Sequence, residues 1–325
     1  MKKVKKVALI TTGGTIASKY NEEGRLVAGV MTGEQLCRKL RLPENIELEI
    51  YSLLQKPSMH VTYEDLDMIR EKILALFKDK AVDGAVVTHG TDCLEESAYY
   101  LDLTIDHERP VVVTGSQRSP EDAGSDADTN LRDAICAAAD EKLRGFGTVV
   151  VFNERIYSAR YVKKIHSSNL QGFGTFGYGH FGIIDNGEVI LYQKPIVKEK
   201  HVPASAKIPV VDIVKVFQGA DDKFIRACIS AGVDGIVLEA TGRGQVTPGM
   251  MGAIREAIQK GIYVVVTTAA EEGEVFPTYD YPGSAHDLQK AGAILGLDYD
   301  SKKARIKLMA LLRAGEDIRS GFTRK

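Results

Sequence analysis

The sequence predicts an α/β protein with two α/β domains, of which the N-terminal one is larger and has a mostly parallel sheet flanked by helices. Short apolar runs rich in β-branched residues alternate with helical stretches, as in strand–helix–strand crossovers. The length of 325 residues suits two domains of ~100–200 residues each. A stretch that contains three prolines separates two blocks of this alternation.

In the N-terminal half, the predicted strands are KKVALITT, IELEIYSLL, DGAVVTHG, RPVVVTGS and GTVVVFNE. The continuous Val runs among them are typical of strands that are buried on both faces. The stretch TYEDLDMIREKILALFKD lies between two of them and predicts an amphipathic helix. Its apolar positions on one face are Leu66, Ile69, Ile73, Leu76 and Phe77. Thr62 is the expected N-terminal cap of this helix.

The second half of the chain defines the domain boundaries. The sequence becomes rich in Gly and aromatic residues near residue 170, and DNG in this stretch predicts a hairpin turn. The proline-containing stretch that comes next predicts an interdomain connection. We therefore divide the chain into an N-terminal domain over 1–190, a linker over 191–208 and a C-terminal α/β domain over 209–325. In the last domain the strands VVDIVKVF, DGIVLEA and IYVVVTT alternate with helices.

The composition argues against several classes of protein. The formal net charge of −2 gives no electrostatic basis for binding nucleic acid or an anionic membrane surface. No stretch approaches the ~18 apolar residues of a membrane span. The apolar run VALI near the N-terminus is shorter than the ~7–15 residues that a secretory signal requires. The four cysteines form no CxxC pair and are expected to be reduced. We expect a cytoplasmic protein.

We expect neither a metal nor a cofactor. The seven histidines show no HExxH motif and no paired spacing that would suggest metal ligands. Gly13 and Gly14 could suggest phosphate binding, but their surroundings match neither GxGxxG nor GxxxxGK[ST]. These mismatches disfavour a nucleotide-dependent oxidoreductase, which is otherwise an alternative for an α/β chain of this length.

Polar residues gather where predicted strands end. The stretches concerned are TTGGTIA (11–17), THGTD (88–92), TGSQRS (114–119) and EATGRGQ (239–245). Ligands of open parallel sheets bind outside the carboxyl ends of the strands. One such end is ordinary turn chemistry, but three in one sheet predict a polar pocket.

Two interpretations are open for the first two of these stretches. Gly13-Gly14 is either a plain strand-to-loop turn or a sharp backbone turn that presents Thr15 to a ligand. Asp92 and Glu95 have the spacing of a capping box, which requires no catalysis. Thr91, however, lies at the same helix start, where backbone N–H groups favour an anion or a polarised carbonyl oxygen.

A threonine nucleophile needs a base nearby, because its hydroxyl does not lose its proton unaided. Lys163 and Lys164 follow a strand end in the same half and offer such a base, although adjacent lysines are commonly solvated surface residues. Ser58 lies between another strand and the helix capped by Thr62, which is also the place of an ordinary turn residue.

Together these stretches resemble the bacterial-type L-asparaginase family, which includes asparaginase-glutaminases and the amidase subunit of an archaeal tRNA-dependent amidotransferase. The first family signature is similar to TTGGTIAS, and the second to VVTHGTDCLEESAYYLDLTI. A third block is similar to RPVVVTGSQRSP with SDADTNLRDAICAAAD, and the family's C-terminal helix to KKARIKLMALL. The resemblance runs essentially end to end. It implies a C-terminal domain of flavodoxin-like α/β type.

The resemblance also implies an amidohydrolase that converts L-asparagine and water to L-aspartate and ammonia. Thr15 would be the nucleophile on a mobile loop and would form an acyl-enzyme. Thr91, Asp92 and Lys164 would form a second group, in which Lys164 is the basic member. Ser58 would hold the substrate α-carboxylate, and Asp92 would pair with the α-ammonium. The residues expected to bind the substrate are Gly14, Ser58, Met59, Gly90, Thr91, Asp92 and Ser116.

Two positions depart from the family pattern. Many members carry a tyrosine on the loop after the first signature, whereas Arg25 or Leu26 occupies the aligned place here and Tyr20 is the nearest phenol. Tyr20 is therefore included among the expected catalytic residues. Met59 stands where many relatives have Gln or a small residue after the serine. These departures affect substrate preference more than the type of reaction.

The alternatives that stay open are a mixed asparaginase-glutaminase, an amidotransferase amidase subunit and a non-catalytic amino-acid-binding module. By resemblance, the expected partners are the small-molecule substrate and further copies of the chain. A homodimer or homotetramer with sites at subunit interfaces is expected, without nucleic acid or membrane as a partner.

Overall fold

A computed structural model describes residues 3–78 and 82–324 of the chain. The chain divides into two compact units, Met1–Lys200 and His201–Lys325. The division falls within the segment 191–208 that the prolines and charges single out as a connection. Among the described residues, no helix is both long and apolar enough to cross a membrane.

The first unit combines a large sheet with helices. Its strands are β1 (Lys5–Gly13), β2 (Lys19–Tyr20), β3 (Leu26–Val27), β4 (Ile46–Lys56), β5 (Gly84–Thr88), β6 (Val111–Thr114), β7 (Thr148–Phe152), β8 (Arg155–Ser158), β9 (Lys163–Lys164), β10 (Phe173–Gly174), β11 (Gly182–Asp185) and β12 (Glu188–Leu191). Its helices are α1 (Gly33–Cys37), α2 (Tyr63–Lys78), α3 (Leu94–Thr104) and α4 (Ala127–Ala139).

The large sheet has the strand order β12-β11-β8-β7-β6-β5-β1-β4. Five neighbouring strands of this sheet pair in parallel, in the order β4-β1-β5-β6-β7. Strands β8, β11 and β12 extend the sheet beyond β7 through antiparallel pairs. Thr11 of β1 is level with Thr88 of β5, which in turn is level with Thr114 of β6. The carboxyl ends of these three central strands therefore lie side by side at one edge, so the polar loops that follow them are neighbours.

The predicted mostly parallel sheet with helices is confirmed, and its core follows from the sequence pattern. Val86 and Val112 of the central strands are completely buried, as their continuous valine runs predict. Leu131 and Ile135 of α4 belong to the same apolar cluster. Burial of such a side chain contributes ~1.5–3 kcal/mol, which fixes α4 against the central strands of the sheet.

Local signals in this unit also act as predicted. The Thr62 hydroxyl accepts a hydrogen bond from the Asp65 N–H at 3.3 Å, and the Asp65 carboxylate accepts one from the Thr62 N–H at 2.9 Å. This reciprocal pair is a capping box and confirms Thr62 as the start of α2. Asn186 and Gly187 both have positive φ angles, 49° and 79°, between the antiparallel strands β11 and β12. The DNG hairpin is therefore confirmed, since a turn of this hand requires two such residues.

The second unit is a smaller α/β domain. Its strands are β13 (Val211–Lys215), β14 (Gly235–Ala240), β15 (Tyr263–Thr268) and β16 (Ile294–Leu295). Its helices are α5 (Lys223–Ala231), α6 (Met251–Gln259), α7 (Ala285–Ala291), α8 (Ser301–Ala314) and α9 (Ile318–Gly321). The strands form a parallel sheet in the order β13-β14-β15-β16. Ile236, Leu238 and Val266 are completely buried in its core, so the predicted second α/β domain is confirmed.

Candidate active site

The glycine pair at the end of β1 lets two backbone segments touch. Gly13 and Gly14 have φ angles of 109° and 81°, which residues with a Cβ rarely adopt. A Cβ atom on Gly14 would lie 2.4 Å from the Gly90 nitrogen, so the two backbones are in direct contact. The Gly14 N–H donates to the Lys56 carbonyl at 3.1 Å. The pair is therefore more than a turn, because the close approach requires glycine.

Thr15 begins a short 3-10 turn, Thr15–Ala17, directly after this contact. It is half-buried, whereas Ile16 and Ala17 are completely or almost completely buried. The Thr15 hydroxyl makes no hydrogen bond to another residue in the described part of the chain. Ile16 and Ala17 anchor the turn in the core, and Thr15 is left at its accessible end. Such a hydroxyl can meet a ligand without breaking an existing bond.

Thr91 is buried and lies one residue beyond Gly90, as Thr15 lies one residue beyond Gly14. The contact between the two glycines therefore brings the two threonine segments to one place. The Thr91 hydroxyl accepts a hydrogen bond from the Lys164 ammonium at 2.8 Å.

Lys164 also contacts Asp92, because its ammonium donates to the Asp92 carboxylate at 2.7 Å. The Lys164 side chain is 15% exposed and that of Asp92 is 66% exposed. An ion pair this open to water contributes ~0–1 kcal/mol to stability, so its main effect is to hold the ammonium in place. The structure therefore brings together Thr91, Asp92 and Lys164. The Lys163 ammonium instead lies 5.7 Å from the centroid of the Phe176 ring.

The interpretation of Asp92 and Glu95 as a capping box is wrong. Helix α3 has Cys93 as its N-cap, without a side-chain cap bond. The Glu95 carboxylate is buried and accepts the backbone N–H of Lys164, while Asp92 accepts its ammonium. Both carboxylates therefore bind Lys164, Glu95 at its backbone N–H and Asp92 at its ammonium.

Ser58 lies in a 3-10 turn, Ser58–His60, and is buried. Its Oγ would lie 2.9 Å from a Cβ atom on Gly90, so Gly90 leaves the space that the serine occupies. Met59 points outward, with the side chain 69% exposed. Its Sδ lies 3.2 Å from the Cys93 Sγ. The Ser58 turn thus contacts Gly90 of the THGTD segment and Cys93, the residue that follows this segment.

The His89 ring stabilises the THGTD segment through two hydrogen bonds. Its Nδ1 lies 2.9 Å from the Gly90 carbonyl oxygen and its Nε2 lies 3.1 Å from the Ser97 Oγ. A carbonyl oxygen only accepts, so Nδ1 carries the proton and the Ser97 hydroxyl donates to Nε2. Complete burial lowers the pKa of His89 and keeps the ring neutral.

The loop after β6 holds Ser116 and Gln117 in different ways. The Ser116 hydroxyl is buried and donates to the Arg118 carbonyl at 2.6 Å, so this hydroxyl is used within its own loop. The Gln117 side chain reaches the site, because its Oε1 accepts from the Thr91 hydroxyl at 3.3 Å. The Asp126 carboxylate accepts the Gln117 N–H at 3.0 Å and fixes this part of the loop.

The Tyr20 phenol is hydrogen-bonded to a carboxylate and not to Thr15. The Tyr20 side chain is 45% exposed, and its hydroxyl donates to the Asp122 carboxylate at 2.7 Å. This hydrogen bond raises the pKa of the Tyr20 phenol, which makes it a poorer source of a phenolate. A role for Tyr20 at Thr15 would require the phenol to leave Asp122.

Two residues of the site were not predicted. Gln117 lies in the stretch TGSQRS, for which the sequence predicts only a polar strand end. The spacing of Glu95 from Asp92 predicts half of a local cap. The available signal was the same for both residues, a polar side chain at the carboxyl edge of the sheet.

Comparison with known proteins extends over both units. Residues 6–197 match the family model described as "Asparaginase, N-terminal", and residues 210–320 match "Glutaminase/Asparaginase C-terminal domain". The L-asparaginase of Bacillus licheniformis is 58% identical over 319 residues, which cover 98% of this chain and 99% of the relative. The probable L-asparaginase of Deinococcus radiodurans is 34% identical over 325 residues, which cover 98% of this chain and 97% of the relative.

A solved structure has the same architecture. The crystal structure of a probable cytoplasmic L-asparaginase from Campylobacter jejuni matches with a TM-score of 0.89 at 29% identity, covering 98% of this chain and 99% of that one. The fold is that of a hydrolase built from two α/β domains. The chain belongs to the asparaginase family. The resemblance that the sequence motifs indicate is thereby confirmed.

Proposed function

We propose that the protein is an amidohydrolase that converts L-asparagine and water to L-aspartate and ammonia. The observation that carries this proposal is the cluster in which the Lys164 ammonium contacts both Thr91 and Asp92, at 2.8 and 2.7 Å, beside the Gly14–Gly90 contact. The names of the relatives, with 58% identity to an L-asparaginase, support the same substrate.

The proposed chemistry has two steps. The Thr15 Oγ attacks the side-chain amide carbon of asparagine, and the hydroxyl proton passes to the leaving nitrogen. The carbon–nitrogen bond then breaks, ammonia departs, and an ester between Thr15 and the aspartyl group remains. Water then attacks the ester, and aspartate and the Thr15 hydroxyl are released. Two steps with a covalent intermediate replace one difficult displacement of an amine by water. The Thr15 hydroxyl is available for the attack, because the residue is only half-buried and its hydroxyl makes no hydrogen bond to any residue that the structure describes.

Lys164 and Thr91 would supply the proton relay and Asp92 the anchor. The Lys164 ammonium already donates to the Thr91 hydroxyl, so a proton can be exchanged along this contact. The exposed Asp92 carboxylate has further acceptor positions for a substrate ammonium. Ser58 would bind the α-carboxylate, and backbone N–H groups around Thr91 would stabilise the oxyanion, which is usually a large contribution to acyl transfer.

Gly14, Gly90 and Met59 complete the proposed substrate site. The two glycines allow the backbone to approach the substrate, because neither could carry a Cβ atom without displacing a neighbour. Met59 offers no amide to the substrate, and we propose that asparagine is therefore preferred to glutamine. A mixed asparaginase-glutaminase is the alternative that the exposed position of Met59 leaves open. Ser116 would contribute by holding its loop, because its hydroxyl already donates to Arg118.

We further propose that the protein acts in the cytoplasm as a homodimer or homotetramer with sites at subunit interfaces. The resemblance of the sequence to the family supports the assembly, and the likeness to a probable cytoplasmic L-asparaginase from Campylobacter jejuni supports the compartment. Light scattering coupled to size exclusion tests the assembly. A species with the mass of one chain, retaining full activity at assay concentration, would contradict it.

The experiment that tests the function measures ammonia release from L-asparagine, L-glutamine and D-asparagine by the purified protein. We expect release from L-asparagine, and loss of that release in Thr15→Ala. A protein that binds L-asparagine in calorimetry but releases no ammonia would be an amino-acid-binding module instead. Ammonia release by Thr15→Ala at the wild-type rate would contradict the role of Thr15 while leaving the hydrolase function intact.

A further inference from the structure

The Gln117 side chain joins Thr91 to the loop that follows Lys164. Its Oε1 accepts a hydrogen bond from the Thr91 hydroxyl at 3.3 Å. Its Nε2 donates to the backbone carbonyls of His166 at 3.2 Å and Asn169 at 3.0 Å. Carbonyl oxygens cannot donate, so these two contacts determine which end of the amide is the nitrogen. The oxygen of the amide must therefore face Thr91.

The direction of the Thr91 hydroxyl proton follows from this assignment. Gln117 Oε1 only accepts, so Thr91 must give it the single proton of its hydroxyl. The Lys164 ammonium has three donors and no acceptor. It donates to a lone pair of the Thr91 Oγ at 2.8 Å. Thr91 thus presents its oxygen to Lys164 and its proton to Gln117. Without Gln117, the hydroxyl would be free to rotate around the Lys164 contact.

The Gln117 amide is confined from several sides. A Cβ atom on Gly172 would lie 2.1 Å from Gln117 Nε2, so the glycine backbone forms one wall. The Asp126 carboxylate accepts the Gln117 backbone N–H at 3.0 Å and holds its other end. The Gln117 side chain therefore has few alternative rotamers, because hydrogen bonds fix its backbone and both ends of its amide and the Gly172 backbone lies against it. Its geometry is therefore a property of the folded site.

We propose that Gln117 is a positioning residue of this active site, which sets the proton direction of the Thr91 hydroxyl and holds the loop after Lys164 against it. This inference rests on the proposed function. Gln117 acts through Thr91, not through the groups proposed to bind the substrate ends, Ser58 and Asp92. Its removal should therefore lower kcat and leave KM nearly unchanged, since the lost interaction matters in the reaction and not in ground-state binding.

The test compares Gln117→Met with Gln171→Met in ammonia release from L-asparagine. Gln171, in the loop after Lys164, is a matched control, because it is also half-buried and its amide is hydrogen-bonded to Asn153, Tyr157 and Phe173, not to Thr91. We expect Gln117→Met to lower kcat by about 10²-fold, the scale of a misplaced catalytic group, with KM within about threefold of wild type. Gln171→Met should keep the wild-type kcat, and thermal unfolding of both variants checks that they fold.

A second variant separates the hydrogen bond from the packing. Gln117→Glu keeps an acceptor for the Thr91 hydroxyl but loses the Nε2 donor to the His166 and Asn169 carbonyls. It therefore tests the proton direction alone and should recover part, not all, of the kcat that Gln117→Met loses. The inference is overturned if Gln117→Met keeps the wild-type kcat, if Gln171→Met loses as much, or if folded Gln117→Glu is as slow as Gln117→Met. A wild-type protein that releases no ammonia from L-asparagine overturns the proposed function itself, and with it this inference.

Discussion

The backbone of Gly14 lies against the backbone of Gly90 so closely that a Cβ atom on Gly14 would be 2.4 Å from the Gly90 nitrogen. The residue after each glycine is a threonine, Thr15 or Thr91. One steric contact between two chain segments, far apart in sequence, thus sets the distance between the two hydroxyls. The geometry of the candidate site depends on residues that have no side chain at all.

Gly14→Ala should lower kcat/KM for L-asparagine by at least about 10²-fold. The substitution adds a Cβ at a φ of 81° and forces the two backbones apart, and a displacement of about 1 Å in a catalytic site can cost about 10²-fold in rate. The measurement is kcat/KM by ammonia release. Gly219→Ala is the matched control, because Gly219 has a φ of 79° and open space around its Cβ position. Comparable losses in both variants would show that backbone strain, not the contact with Gly90, is responsible.

Thr91→Val and Lys164→Met should each abolish turnover without unfolding the protein. The hydroxyl and the ammonium contact each other at 2.8 Å at the edge of the sheet, and neither contributes to the apolar core. Steady-state kinetics with L-asparagine and thermal unfolding give the two readouts. The neighbouring Lys163→Met should keep its activity, since its ammonium lies near the Phe176 ring and not at Thr91. Equal loss of activity in the two lysine variants would contradict the role of Lys164 as the basic residue at Thr91.

If the Tyr20 phenol assists Thr15, Tyr20→Phe should lower kcat on the order of 10²-fold, which is the scale of a lost acid–base group. Since the hydroxyl donates to Asp122 at 2.7 Å, this role requires Tyr20 to move. Asp122→Ala should then release the phenol and leave kcat unchanged or higher. A wild-type kcat in Tyr20→Phe would remove Tyr20 from the catalytic residues.

L-asparagine should be preferred to L-glutamine by at least about tenfold in kcat/KM. One methylene in a restricted pocket is typically worth ~1–3 kcal/mol, or about 10–200-fold. Met59, whose sulfur lies 3.2 Å from Cys93, cannot hydrogen-bond the longer amide. Met59→Gln should therefore reduce the preference, as measured with both amides side by side. A Met59→Gln variant with an unchanged ratio would show that this side chain does not contact the substrate.

Asp133→Asn should stabilise the protein at neutral pH. Burial on α4 raises the pKa of Asp133 from 3.8 to about 6, despite the favourable charge of Arg132. Because the folded-state pKa is the higher one, the protonated form stabilises the fold at low pH, and this contribution is lost as the pH rises from about 4 to 6. One pKa unit corresponds to about 1.4 kcal/mol, so the ionised Asp133 costs up to ~3 kcal/mol above pH 6.

Denaturant unfolding of Asp133→Asn and wild type between pH 4 and 8 measures this difference. The free energy of unfolding of the variant relative to wild type should increase up to about pH 6 and then stay constant. Asp128 is exposed on the same helix, so Asp128→Asn serves as the control and should show little such increase. A constant difference between Asp133→Asn and wild type over the whole range would contradict the pKa shift of Asp133.

The sequence was most informative where local patterns determine structure. Continuous valine runs predicted the buried strands, DNG predicted the hairpin, and Thr62 predicted the start of α2, because each signal acts over a few residues. The polar strand ends could also be placed at one edge, since the carboxyl ends of parallel strands are neighbours. These signals predict a polar site at the carboxyl edge of the sheet.

The side-chain partners were less predictable because they come from distant segments. Glu95 has the spacing of a cap relative to Asp92, and only the tertiary fold shows that its carboxylate binds the Lys164 N–H. Gln117 has the sequence context of an ordinary loop residue, and only the tertiary fold shows that the segment around His166 packs beside it. Ser116 is adjacent in sequence, yet its hydroxyl is used within the loop. Local spacing alone cannot distinguish these cases.

Lys164 is bound at both its backbone and its ammonium by one short segment, Thr91 to Glu95, which lies about 70 positions earlier in the chain. Closing a loop of this length costs conformational entropy that local contacts cannot offset early in folding. The strand that carries Lys164 is only two residues long, so its own pairing cannot position it before the rest of the unit has formed. During refolding, enzymatic competence should therefore be acquired late, after most helices and the central strands are in place.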